Sequence, residues 1–130
     1  MAGLTPNHTM FQPGFEQADT SVTGVISLYG YYGGLDSDGQ IPSSPAAYVT
    51  PDAPPFFVAH GDHDTVVVVE DARGFVDLLR TVSSQAVVYA ELPGAQHAFD
   101  VVHSIRFDNT VNAIESFTAW VRSRPVTSKP

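Results

Sequence analysis

Three runs of apolar residues alternate with two longer segments of helical period, and together they predict a small parallel sheet with helical cover. Val22–Tyr29 is β-branched, mostly apolar and bounded by turn residues, so it is expected to be the first strand. Pro55–His60 is apolar at nearly every position, as suits a strand buried on both faces. Ala86–Leu92, ended by Pro93-Gly94, is the third. Between the second and third strands, Ala72, Phe75, Val76 and Leu79 recur at i, i+3, i+4 and i+7. Asp71, Arg73, Asp77 and Arg80 take the other face, which predicts an amphipathic helix over 69–82. A last helix is expected from about Phe107 to Val121, with Phe107, Val111, Ile114, Phe117 and Val121 on one face and Pro125 beyond its end. Phe56, Phe57, Phe75, Phe107, Phe117 and Trp120 fall at core periods and are expected in the interior.

The remaining segments are punctuated by turn residues. Residues 1–21 carry neither period and read as an irregular lead-in, with a remnant of helix at Met1–Leu4. Gly30–Gly39 is a glycine- and aspartate-rich loop long enough to be a binding loop or lid. Ser43–Tyr48 predicts a short helix with a serine cap and a proline in its first turn. The organisation is then a lead-in (1–21), one α/β unit (22–122) and a flexible tail (123–130). Right-handed crossovers place consecutive strands side by side. The first strand has nothing before it to pair with, so its edge near Val22–Leu28 is expected to be covered by further sheet or by self-association.

Composition narrows the partners. The 130 residues hold 14 acids against 6 bases, a net charge of −8, which excludes a basic stripe for nucleic acid or anionic membrane. There is no cysteine, hence no disulfide, thiolate metal site or cysteine nucleophile. No signal-peptide pattern and no apolar run of membrane-spanning length is visible, and the default expectation is a cytoplasmic protein.

Candidate chemistry lies in two polar turns. His60-Gly61-Asp62-His63-Asp64 follows the second strand, and Pro93-Gly94-Ala95-Gln96-His97-Ala98-Phe99-Asp100 follows the third. Open α/β sheets place their catalytic groups at the carboxyl ends of parallel strands. If the two strands are neighbours, Asp64 and His97 can meet there, the carboxylate fixing the tautomer of a histidine base. The same residues also have a plainer reading, Asp64 as a cap for the following helix and His97 as a turn histidine. No Gly-x-Ser-x-Gly nucleophile elbow occurs. Ser27 sits inside a strand and Ser37 in the aspartate-rich loop, so both read as structural serines. His60, Asp62, His63, Asp64, His97 and Asp100 form no recognisable ligand spacing; neither a metal nor a cofactor is expected. Tyr29, Tyr31 and Tyr32 lie at the same presumed edge, either lining a pocket or anchoring the loop.

These residues carry a resemblance. Ala53-Pro54-Pro55-Phe56-Phe57-Val58-Ala59-His60-Gly61-Asp62-His63-Asp64-Thr65-Val66-Val67 and Leu92-Pro93-Gly94-Ala95-Gln96-His97-Ala98-Phe99-Asp100 are similar to the C-terminal half of α/β-hydrolases, in the lipase/esterase branch related to hormone-sensitive lipase. Leu4-Thr5-Pro6-Asn7 and Tyr29-Gly30-Tyr31-Tyr32 resemble the segment after that family's nucleophile helix. The resemblance implies a partial α/β-hydrolase fold of about three parallel strands, with Asp64 as triad acid and His97 as general base. It implies a small-molecule ester as substrate, and it places the serine and oxyanion loop upstream of this chain. On that basis the chain would be inactive alone and completed by a missing N-terminal half. The alternative is a non-catalytic binding or oligomerisation module derived from the same fold.

Overall fold

A computed structural model describes residues 1–34 and 41–125. Three strands form one parallel sheet in the order β1-β2-β3: β1 is Val25–Leu28, β2 Phe56–Gly61 and β3 Val87–Leu92. The register pairs Val25 with Phe56 and Phe56 with Val87, so all three strands start level. Consecutive strands are therefore neighbours, as the pattern predicts. β2 is the axis of the molecule, and all six of its residues are buried.

Alternation along β2 divides the core into two layers. Phe56 and Val58 face α1 (Val69–Val82), where they meet Ala72, Phe75, Val76 and Leu79. Phe57 and Ala59 face α2 (Ile105–Ser123), where they meet Phe117, with Leu28, Ala90, Phe99, Ile114 and Val121 around them. α1 has the bounds that its apolar period predicts. α2 begins two residues earlier than expected, because the Ser104 hydroxyl caps it by accepting from the Phe107 N–H at 3.2 Å. The short helix at Pro45–Tyr48 has the expected serine cap: the Ser44 Oγ accepts from the Ala46 N–H.

Two expectations need correction. The first strand is shorter than Val22–Tyr29: residues 22–24 precede the start of β2, so they have no partner strand, and Tyr29 turns out of the sheet with φ +40°. Trp120 is 41% exposed and Val111 is 37% exposed. Three strands are too narrow to cover the whole apolar face of α2, so Phe117 is its one buried apolar residue. Trp120 instead lies under the Arg124 guanidinium, 4.9 Å from its ring centre.

The lead-in is irregular yet ordered by one side chain. The buried Gln12 amide donates to the Phe15 and Ala18 carbonyls and accepts from the Thr20 hydroxyl. A short 3-10 helix does occupy Ala2–Leu4. Leu4 reaches the α1 layer of the core, which ties the lead-in to the sheet. Ser37 and most of the aspartate-rich loop lie outside the described residues, as does the tail from residue 126. Among the described residues no helix is long and apolar enough to cross a membrane.

Candidate functional site

The carboxyl ends of the three strands converge on His97. β2 ends at Gly61, and the next three residues bring Asp64 back under the strand end, with its N–H donating to the Gly61 carbonyl. The Asp64 Oδ1 accepts from the Val66 and Val67 N–H groups, both at 2.8 Å. Its Oδ2 accepts from His97 Nδ1 at 2.8 Å. The Asp64 side chain is fully buried, whereas His97 remains 29% exposed. Burial pushes the Asp64 carboxyl up, but the Val67 N–H, the His97 contact and the Val66 N–H outweigh it and hold the group below the ordinary carboxylate range.

Of the two readings open for Asp64, helix capping fails. α1 has Val68 at its cap position with no side-chain cap bond, and Asp64 binds the N–H groups of the turn that precedes it. Its second oxygen is thereby left for His97. That histidine is not a solitary turn residue: with Nδ1 turned to the carboxylate, Nε2 lies on the opposite edge of the ring, in a partly open position.

The two turns are tied together by more than this bond. The Asp62 N–H donates to the Leu92 carbonyl at 3.3 Å, and the His63 N–H to the Ala95 carbonyl at 3.1 Å. The Asp62 carboxylate accepts from the Gly94 N–H at 2.6 Å, holding a residue whose φ of +67° requires glycine. Asp62 Oδ1 also accepts from His63 Nδ1 at 2.7 Å, and this contact first, then the Gly94 N–H, sets its carboxyl below the usual value. A Cβ at Gly61 would lie 2.2 Å from the Ala95 carbonyl oxygen, so the two backbones meet where only glycine fits.

His60 is fully buried, with Nε2 donating to the Val67 carbonyl at 2.9 Å. It does more than that. The same nitrogen lies 3.3 Å from Asp64 Oδ2, and the buried Nδ1 has no partner. Nothing local in the sequence announces this second contact, since it depends on how the turn folds back.

The tyrosines divide between the two roles open to them. Tyr32 is buried, stacks on Phe75 at 4.3 Å and shares a 2.6 Å hydrogen bond with Ser27, so it anchors the loop. Ser27 is thereby a structural hydroxyl. Tyr31 is half exposed and donates to the Gly34 carbonyl. Tyr29 alone stands at the strand ends, its ring centre 4.6 Å from that of His97. Asp100 accepts from its phenol at 3.0 Å. Among the described residues no group of three or more histidine and carboxylate side chains is arranged to hold a metal ion.

The chain as a whole has relatives among known proteins. The family model of prolyl oligopeptidases matches residues 30–124, which include both turns. The chain belongs to the prolyl oligopeptidase family. Similar proteins include esterases. The probable carboxylic ester hydrolase LipM of Mycobacterium tuberculosis is 43% identical over 146 residues, covering 93% of this chain and 34% of that protein. Esterase LipC of the same organism is 38% identical, covering 95% of this chain and 38% of that protein. Thermogutta terrifontis esterase 2, solved after phosphoramylation by tabun, superposes with a TM-score of 0.78 at 17% identity, over 92% of this chain and 50% of that one. This likeness shows that the three strands and two helices are those of an α/β-hydrolase. The chain spans about a third of the length of the curated relatives it matches. The lipase/esterase resemblance read from the two turns agrees with these matches.

Proposed function

We propose that this chain supplies the acid and base of a serine esterase, with Asp64 as the acid, His97 as the general base and a carboxylic ester as substrate. The observation that carries it is the 2.8 Å bond from His97 Nδ1 to a fully buried carboxylate whose other oxygen is taken by two backbone N–H groups. Such a carboxylate cannot swing away, so it fixes the Nδ1–H tautomer and leaves Nε2 as the proton acceptor. In the reaction, Nε2 takes the proton of an attacking serine hydroxyl as its oxygen bonds to the ester carbonyl. The imidazolium that forms is stabilised by Asp64, and the proton then passes to the departing alkoxide. Hydrolysis of the acyl-enzyme repeats the transfer from a water. The serine and the N–H groups that receive the oxyanion belong to a segment outside these 130 residues, because no nucleophile elbow occurs within them.

The test is a transplant. This chain replaces the matching third of LipM, and the chimera is assayed with a short-chain aryl ester and with a proline-containing peptide amide. Ester turnover is expected to fall about 10⁴-fold in Asp64→Asn. In His97→Ala the expected loss is about 10⁶-fold. The 130-residue chain alone should give no more than trace turnover. Turnover that survives both substitutions, or a preference for the peptide, would overturn the assignment.

A second reading has its own observation. β1 is an outer strand with Ile26 42% exposed, and Val22 in the segment before it is 43% exposed, an apolar edge that pairs readily with a further strand. Either the missing part of the hydrolase or a second copy of this chain would cover it. A concentration-dependent sedimentation profile abolished by Ile26→Lys would favour the self-associating module.

A further inference from the structure

We propose that Tyr29 is the positioning residue for His97, a clamp built from the end of β1 that holds the base's turn over the strand ends. It deepens the assignment of Asp64 and His97 as acid and base and rests on it.

Asp64 holds one edge of the imidazole through one hydrogen bond, about which the ring and its turn can still rotate. Restraint has to come from elsewhere, and the turn supplies little of it. His97–Asp100 follows β3 without belonging to it, and Ala98 has φ +55°. Tyr29 touches three of these four residues. Its ring centre lies 4.6 Å from that of His97 at an interplanar angle of 60°, and 5.5 Å from that of Phe99 edge-on at 90°. Its hydroxyl donates to Asp100 Oδ1 at 3.0 Å across 71 residues of sequence. The hydrogen bond to Asp100, with burial second, pushes the phenol above its ordinary value, so it stays a donor over the whole neutral range.

The backbone is bent to make these contacts. Val25 packs toward α1 and Ser27 reaches Tyr32 on that side, and strand alternation would send residue 29 after them. Tyr29 takes φ +40° instead, while its N–H still donates to the Ala59 carbonyl at 2.8 Å. A bulky side chain in the left-handed region is costly and persists only where its surroundings over-determine it. Here the cost is borne at a position from which the ring reaches His97 and the hydroxyl reaches Asp100. A plain turn at the end of β1 would use glycine, and Gly30 is the next residue.

Proton NMR on the 130-residue chain tests the clamp through the low-field Nδ1 proton of His97 and the amides of 97–101. Tyr29→Phe and Asp100→Ala are each expected to speed exchange of both with water about tenfold, the worth of one hydrogen bond. Asp100→Asn retains an acceptor oxygen and should rescue to within about threefold of the parent. The Val58 amide on β2 is the internal reference: a variant that only loosens the whole fold speeds Val58 in step. Unchanged His97 and 97–101 exchange in both Tyr29→Phe and Asp100→Ala overturns the proposal, as does acceleration matched at Val58. Failure of the acid–base assignment looks different. In that case the parent lacks the Nδ1–H tautomer, or keeps its low-field proton in Asp64→Asn, while the 97–101 amides still report the clamp.

Discussion

Gly61→Ala tests the close approach of the two site turns. The new Cβ would stand 2.2 Å from the Ala95 carbonyl oxygen, 2.7 Å from its carbon and 3.1 Å from its Cβ. An ordinary C···O approach is no shorter than about 3.3 Å, so the backbones must part by about 1 Å. The two nearest atoms of Ala95 are main chain and the new Cβ has no rotamer, so no side-chain change can relieve it. The movement also stretches the His63 N–H bond to the same carbonyl, now 3.1 Å. Overpacking of this kind costs about 1–3 kcal/mol. The weakened hydrogen bond adds about 1 kcal/mol. A loss of roughly 2–4 kcal/mol in a domain of this size lowers Tm by about 10 °C, which a calorimetric scan resolves. In the LipM chimera, a 1 Å displacement of His97 from Asp64 should cut ester turnover about 100-fold. Gly74→Ala is the control: it lies in α1 with open space where a Cβ would go. That change should stabilise by about 0.5–1 kcal/mol through helix propensity. A Gly61→Ala protein that melts within about 2 °C of the parent and keeps the His97 low-field proton would refute the close approach.

Three further outcomes follow from the same geometry. His60→Leu leaves the part-buried Val67 carbonyl without its donor and removes a contact from Asp64; urea denaturation should show a loss of about 2–4 kcal/mol, and one below about 1 kcal/mol would mean the histidine is dispensable. Phe57→Ala empties the layer under α2 and should cost about 3–5 kcal/mol by the same method, with a smaller loss indicating that Phe117 collapses into the space. Asp64, Asp62 and Glu91 all have carboxyls held below their ordinary values, the last by Arg73 first. The unfolded chain then binds more protons than the folded one, so stability is fully present above about pH 4 and falls as pH drops through the depressed folded values. Urea midpoints between pH 5 and pH 2.5 should fall steeply in the parent and less in Asp64→Asn; equal slopes would count against the Asp64 shift.

Local periodicity made the elements legible. The stripe Ala72, Phe75, Val76, Leu79 located α1 because every member contacts the β2 layer, and unbroken apolarity marked β2 as the central strand. Asp64 and His97 were legible as a pair because consecutive parallel strands are neighbours, so residues one βα unit apart share an edge. What escaped the sequence depends on partners distant along the chain. The ends of β1 follow from where β2 begins, which no property of residues 22–24 records. The order of the lead-in rests on a single glutamine with three partners, and such a network has no period. Asp62 gives no sign that its acceptor oxygen holds Gly94, nor Tyr29 that it crosses to Asp100. The exposure of Trp120 on a helix of apolar period was misread for another reason: periodicity reports the face a helix offers, not the width of the sheet available to cover it.

Asp64 and His97 both stand on the continuous stretch that runs from β2 through α1 and β3 to the turn after it, and every bond described as joining their turns lies within that stretch. The pair proposed as acid and base therefore forms a self-contained cassette, spaced by its own backbone. Under that proposal, a nucleophile segment could drift in sequence, or its acyl pocket be rebuilt for another ester, without retuning the distance between the two. Tyr29 is the exception, since it reaches the cassette from β1. Any change that shifts β1 relative to β2 would be felt first at the His97 ring, which makes that strand the natural place for selection to adjust His97 while leaving Asp64 untouched.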